Sequence, residues 1–229
     1  MFTRHPVRAR FLAACLLVGA VVPGGSAMAT EEPAFTVVRQ TDTFEVRSYA
    51  PLIVAETVVE GDWSDASSQG FRRLAGYIFG GNKQRAKIAM TAPVGTQEGA
   101  KIARVSPDTV RQEGSRSWVV SFTMPAQWTL ARLPQPDDPR VRLREIPMRR
   151  VAAKRVGGWW SAANFAEDSD IFLRDVATAG LKVGANRPVM ARYNPPWTPF
   201  FLRRNELLVE LSEGPDAPPT ADRGAGVAR

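Results

Sequence analysis

The chain has 229 residues, 30 of them Lys or Arg against 23 Asp or Glu, with one Cys (Cys15) and one His (His5). Both lie in the first 29 residues, so the stretch from Thr30 onward has neither thiol nor imidazole. That excludes disulfides, thiolate or imidazole metal sites and Ser–His or Cys–His catalysis within it. Removing Arg4, Arg8 and Arg10 leaves 27 cations against the same 23 acids, a scattered +4 that argues against a nucleic-acid partner.

The first segment reads as a leader. Arg4, Arg8 and Arg10 form a positive start, Phe11 to Val22 is an apolar run of twelve, and Pro23-Gly24-Gly25 breaks it before Ala27-Met28-Ala29. This is the pattern of a secretory signal peptide over residues 1–29, cut after Ala29 to leave 200 residues from Thr30. The run is too short for a membrane span, which needs about 20 apolar residues. Leu12-Ala13-Ala14-Cys15 is similar to a lipoprotein box, but only four apolar residues precede the Cys. The expected location is therefore periplasmic or secreted, with no membrane span after processing. A destination that permits disulfides is met by a chain without them, so an apolar core must hold it together.

The elements then follow in order. Phe35 to Gln40, Phe44 to Ser48 and Leu52 to Val59 are rich in Val, Thr and Phe and predict strands. Ser64 or Asp65 caps a predicted helix that runs to Phe79 and closes at Gly80-Gly81-Asn82, with Phe71, Leu74, Ala75 and Ile78 on one face. Lys87 to Thr96 and Ser117 to Met124 predict the arms of a hairpin with a long loop. In the first arm Ile88 and Met90 share one face, Ala89 and Thr91 the other, and Pro93 ends the pairing. A shift of 97 residues lays Gly158-Trp159-Trp160-Ser161 over Gly61-Asp62-Trp63-Ser64, Leu143-Arg144 over Val46-Arg47, and Val151-Ala152 over Val54-Ala55. Ser161 caps a second helix with Phe165, Phe172, Val176 and Ala179 inward and Gly180 as its stop. Strands near Pro188 to Tyr193 and Glu206 to Leu211 complete the copy. Two strand–strand–helix–strand–strand units, each with one apolar face, predict a single pseudo-symmetric α+β domain over 30–212. The segment 213–229 is rich in Gly, Ala and Pro and reads as a disordered tail.

Several motifs in this order resemble the SOUL haem-binding protein family. They are Lys87-Ile88-Ala89-Met90-Thr91-Ala92-Pro93-Val94 after Gly80-Gly81-Asn82, Ser121-Phe122-Thr123-Met124-Pro125 with Leu133-Pro134-Gln135-Pro136, Arg192-Tyr193-Asn194-Pro195-Pro196-Trp197, and Arg203-Arg204-Asn205-Glu206. The resemblance implies an eight-stranded, distorted antiparallel barrel flanked by two helices and built from two pseudo-repeats. It also implies reversible, non-covalent binding of haem or another tetrapyrrole in a cleft beside the first helix.

Haem presents an apolar face, two propionates and an iron. Phe71, Leu74 and Ile78 suit the face if they do not simply pack the barrel, and Tyr77, with Gly70 and Gly76, marks a second face of that helix. Arg72 and Arg73, with Lys83, Arg85 and Lys87 beyond, suit propionates or form a solvated basic face. Ser68 and Gly76 stand where the family carries Arg and Lys, so Arg72 or Arg73 would have to substitute. With no His, the axial candidates are Met90, Met124, Met148, Met190, Tyr49, Tyr77 and Tyr193, and the expectation is weak or absent protein ligation of the iron, with affinity carried by burial and the propionates. Asp62, Asp65, Glu206 and Glu210 show no catalytic spacing, so the chain is read as a carrier or buffer and not an enzyme. The alternatives are a module for other amphipathic molecules and a tetrapyrrole-modifying enzyme. Exposed Trp63, Trp159, Trp160 or Trp197 would favour the module.

Overall fold

The computed structural model describes residues 30–99, 116–157, 161–194 and 198–212. The expected leader, the expected tail, Trp159, Trp160 and Trp197 lie outside the described residues. Nine strands form one antiparallel sheet: β1 (Phe35–Gln40), β2 (Glu45–Tyr49), β3 (Leu52–Glu60), β4 (Val94–Glu98), β5 (Ser117–Thr123), β6 (Arg142–Ile146), β7 (Arg149–Val156), β8 (Val189–Arg192) and β9 (Asn205–Glu210). Helix α1 (Trp63–Ile78) follows β3, and α2 (Ala162–Thr178) follows β7. The strand order is β1-β2-β7-β9-β8-β4-β5-β3-β6, which curls into a half-barrel. The α+β distorted-barrel expectation holds with one more strand than eight, because β1 adds an edge outside the two units. Without β1, the order is symmetric about the β8–β4 pair. Arg47 lies opposite Val151 and Val54 opposite Arg144, so a shift of 97 residues turns the first pairing into the second.

The alternation of side chains along a strand decides what lies on each face. One face carries Ala55, Val120 and Phe122 against Leu74, Tyr77 and Ile78 of α1. Further along, it carries Val46, Ala152, Met190, Leu207 and Val209 against Phe165, Phe172 and Val176 of α2. Both helices therefore cover the outer face. Trp63, the first residue of α1, is buried in the α2-side cluster, so it packs and offers no exposed ring.

The caps are local. Asp62, not Ser64 or Asp65, starts α1, its carboxylate accepting from the Asp65 amide at 3.0 Å. Ser161 caps α2 as expected, accepting from the Asn164 amide at 3.1 Å. The predicted strand Lys87–Thr96 shrinks to β4, and the ladder begins after Pro93 where the sequence suggested it would end. Before Pro93 the chain is tied elsewhere: the Ile88 amide donates to Ile78 O and the Ala92 amide to Glu31 O. Ile88 is thus buried while Met90 is 39% exposed, and the strand alternation expected for them does not apply.

Gly70 is where α1 presses onto β5. A Cβ there would lie 2.4 Å from Val120 Cγ2, whereas one at Gly76 would meet nothing within 4 Å. Gly70→Ala is expected to lose about 1–3 kcal/mol through overpacking despite its better helix propensity. Gly76→Ala is expected to gain up to about 1 kcal/mol from propensity alone. Chemical denaturation of both variants checks the pair.

Candidate functional site

Among the described residues no helix covers the inner face of the sheet, which walls a cavity of about 630 Å³. Val54, Val119, Val151, Val189 and Leu208 supply aliphatic surface, one from each of five strands. Phe35, Tyr49 and Tyr193 supply aromatic surface. These are the residues that alternate with the helix-facing core: Val54 with Ala55, Val119 with Val120, and Leu208 with Leu207 and Val209. Charges are set into this wall as well. Glu32, Glu56 and Glu210 meet Arg142, Arg144, Arg149 and Arg187, a balance of four cations to three acids.

Behind the cavity-lining Tyr49 and Tyr193 lies a buried ionic network. Arg47 on β2 donates from Nη1 and Nη2 to Glu206 on β9 at 2.7 and 3.1 Å, and from Nε to Glu45 at 2.8 Å. Its guanidinium also lies 4.3 Å from the centre of the Phe35 ring. Tyr193 donates its hydroxyl proton to Glu206 at 2.7 Å. Burial alone would push the Glu206 carboxyl up, but the hydrogen bonds from Arg47 and Tyr193 and the Arg47 charge outweigh it and hold the pKa below the usual value. Near the opposite edge, Arg144 on β6 clasps the buried Glu56 of β3 bidentately, at 3.1 and 2.9 Å. In the 97-residue shift Arg144 is the counterpart of Arg47.

The residues expected to bind haem lie elsewhere. Leu74, Tyr77 and Ile78 are 0, 2 and 1% exposed inside the core. The Tyr77 hydroxyl donates to Pro134 O at 3.0 Å, and burial pushes its pKa up to about 12. Phe71 is half-buried with its ring 5.4 Å from that of Phe122. Arg72 is exposed, while Arg73 donates to Thr57 Oγ1 at 2.7 Å and Val58 O at 3.1 Å and so bridges helix to strand. These six residues share α1, but none of them lines the cavity.

Of the axial candidates, Tyr49 and Tyr193 reach the cavity. Burial raises both their pKa values, and Glu206 raises that of Tyr193 further, which favours the protonated hydroxyl in each. Met124 and Met190 are core residues, and Met90 and Met148 point outward, 39 and 62% exposed. Sequence reasoning did not single out the inner-face cavity because it looked for an apolar surface in a helix stripe. The available signal was the other half of each strand's alternation, with Arg47 and Arg144 in register.

Together these features define a cavity-bearing α+β half-barrel. The profile described as SOUL heme-binding protein matches residues 30–210, and the chain belongs to that family. It is 31% identical over 125 residues to heme-binding protein 2 of Mus musculus, covering 52% of this chain and 54% of the relative. The human heme-binding protein 2 is 45% identical over 56 residues, 24% of this chain and 27% of that one. The longer match thus spans about half the length of the curated relative. Among solved structures, the C-terminal domain of EcmrR superposes with a TM-score of 0.51 at 11% identity, over 74% of this chain and 96% of that domain, a likeness of fold alone.

The Glu206 carboxylate stabilises the fold only while ionised. Its depressed pKa means that this contribution is present above the ordinary carboxyl value of 4.5 and is lost as pH falls through the folded value. Thermal melts should therefore fall for the wild type below about pH 5. Glu206→Gln should be less stable at pH 7 and flatter over that acid range. Arg47→Met should cost about 3–5 kcal/mol at pH 7, because it strands the Glu206 charge.

Proposed function

We propose that this chain binds a haem-type tetrapyrrole non-covalently in the inner-face cavity and acts as an exported carrier or buffer, not as an enzyme. The observation that carries the reading is the cavity itself. Its volume of about 630 Å³ lies within the range of about 300–1,000 Å³ usual for small-molecule sites. It combines aliphatic and aromatic walls with guanidinium groups in a chain of the SOUL family. A porphyrin needs those two surfaces, one for its ring and one for its carboxylates. No Cys follows residue 29, so a thioether link is unavailable, and no His follows it to serve as an axial ligand. The inner face is favoured over the α1 surface because Leu74, Tyr77 and Ile78 are committed to the core. The symmetric strand order and the shared register support reading the two units as an internal repeat. The positive start, short apolar run and Ala-Met-Ala site support export to a periplasmic or secreted location. No helix among the described residues is long and apolar enough to cross a membrane.

A haemin titration of the chain from Thr30, followed at the Soret band, tests the ligand and its place. Saturable binding on the order of micromolar or tighter is expected, weakened about tenfold or more by Leu208→Trp, which fills the cavity. Phe71→Ser and the double variant Arg72→Ala with Arg73→Ala should change it by less than about threefold. Weakening by the α1 variants alone would return the site to the helix. A titration that never saturates would remove haem and leave other amphipathic molecules. Export is checked by the intact mass of the protein recovered outside the cytoplasm, which should begin at Thr30. A chain still beginning at Met1 there would overturn the leader.

A further inference from the structure

Two guanidinium groups sit on the inner face of the β2–β7 pair, and they are treated very differently. Arg47 is saturated, with Glu45 on Nε, Glu206 on both terminal nitrogens and Phe35 beneath its plane. Arg149, the first residue of β7, lines the cavity with its side chain 27% exposed, and its Nε is shut off from water with no hydrogen-bond partner. Its acidic neighbour is Glu210, 3.6 Å from Nη1, and Glu210 also accepts from Asn186 at 3.4 Å. The charge that faces it from β6, Arg144, is a second cation, already clasped to Glu56. Burial pushes the Arg149 pKa down, the nearby Arg144 charge adds to that, and Glu210 offsets only part. This is a charge largely held out of water whose ion pair is long, with 27% of its side chain exposed, and a guanidinium receives a carboxylate through two parallel N–H bonds. An unmet buried donor is costly; Arg150 and Arg192 carry one as well, but of these three Arg149 is the one that lines the cavity.

The surroundings specify what that partner carries. Arg149 lies directly opposite Tyr49 across β2–β7, and Tyr49 lies directly opposite Phe35 across β1–β2. The two ring centres are 5.3 Å apart with the planes tilted by 47°, so aromatic surface runs across the strands and ends at the Arg149 guanidinium. We propose that Arg149 is the carboxylate anchor of the inner cavity. Its ligand is then a flat apolar molecule bearing at least one carboxylate, held by aromatic surface and anchor and not by its metal. This rests on the cavity named above but not on haem as its occupant.

The test compares protoporphyrin IX, its dimethyl ester and haemin in one solvent mixture, by quenching of the intrinsic fluorescence, on the wild type, Arg149→Met and Arg149→Lys. The two free acids should bind the wild type within about threefold of each other, and the diester about tenfold or more weaker. Arg149→Met should lose about tenfold for the free acids and nothing for the diester, and Arg149→Lys should restore part of the loss. Unchanged diester binding shows that the variant still folds around an open cavity. Equal binding of acid and ester to the wild type, or unchanged acid binding to Arg149→Met, overturns the anchor and leaves tetrapyrrole binding standing. If no tetrapyrrole binds, the proposed function falls, and cis-parinaric acid against its methyl ester reads the anchor alone. Preference for the acid that Arg149→Met abolishes supports the anchor. No preference, or no binding of either, overturns it.

Discussion

A single sheet has two faces, and among the described residues α1 and α2 both lie on the same one. Each strand is thereby split residue by residue into a set that packs and a set that remains open: Ala55 beside Val54 and Glu56, Leu207 beside Glu206 and Leu208. The outer set is apolar and closely packed, close enough at Gly70 that α1 meets Val120 with no room for a methyl group. The inner set mixes valines, aromatics and charges, because curling the sheet shelters this face from bulk water without, among the described residues, a helix to pack on it. The cavity is a consequence of where the helices go.

Charges on a sheltered face must be matched or they destabilise the fold. Two of the arginines there are matched bidentately, Arg47 by Glu206 and Arg144 by Glu56, and both pairs tie together strands that are distant in sequence. Such pairs add little net stability over apolar packing, but breaking one is costly, so they act as locks on register. Tyr193 and Arg204 extend the first lock toward the β8–β9 turn, the Arg204 guanidinium lying 3.7 Å from the Tyr193 ring centre. Arg149 stands apart because its counter-charge is longer and shared. Arg150 and Arg192 also carry a buried Nε without a hydrogen bond, but Arg149 is the member of the three that lines the cavity.

The fold was largely legible in the residues. The second helix was capped at Ser161 and stopped at Gly180, because a cap needs only a side-chain oxygen three residues before an amide, and a stop needs only a residue that tolerates positive φ. The first helix began at Asp62 because a carboxylate there reached the Asp65 amide before Ser64 or Asp65 could serve as the cap. The segment from Lys87 to Pro93 misled, since its alternation imitates a strand while its amides are taken by Ile78 and Glu31, partners that only the folded chain brings near. The site was less legible. Helical spacing showed that Leu74 and Ile78 face something apolar, but periodicity reports that a face is buried, not whether a ligand or a sheet buries it.

By itself, then, the sequence determined what depends on neighbours along the chain: the order of elements, the Ser161 cap, and the absence of thiol and imidazole beyond residue 29. Tertiary structure decided what depends on pairing between distant strands. It set both helices on one face, brought Arg47 to Glu206 across 159 residues, and placed Phe35, Tyr49 and Arg149 in one row. The physical reason is that strand register is a property of two chain segments at once. A cavity wall drawn from nine strands has no counterpart in any single stretch of sequence.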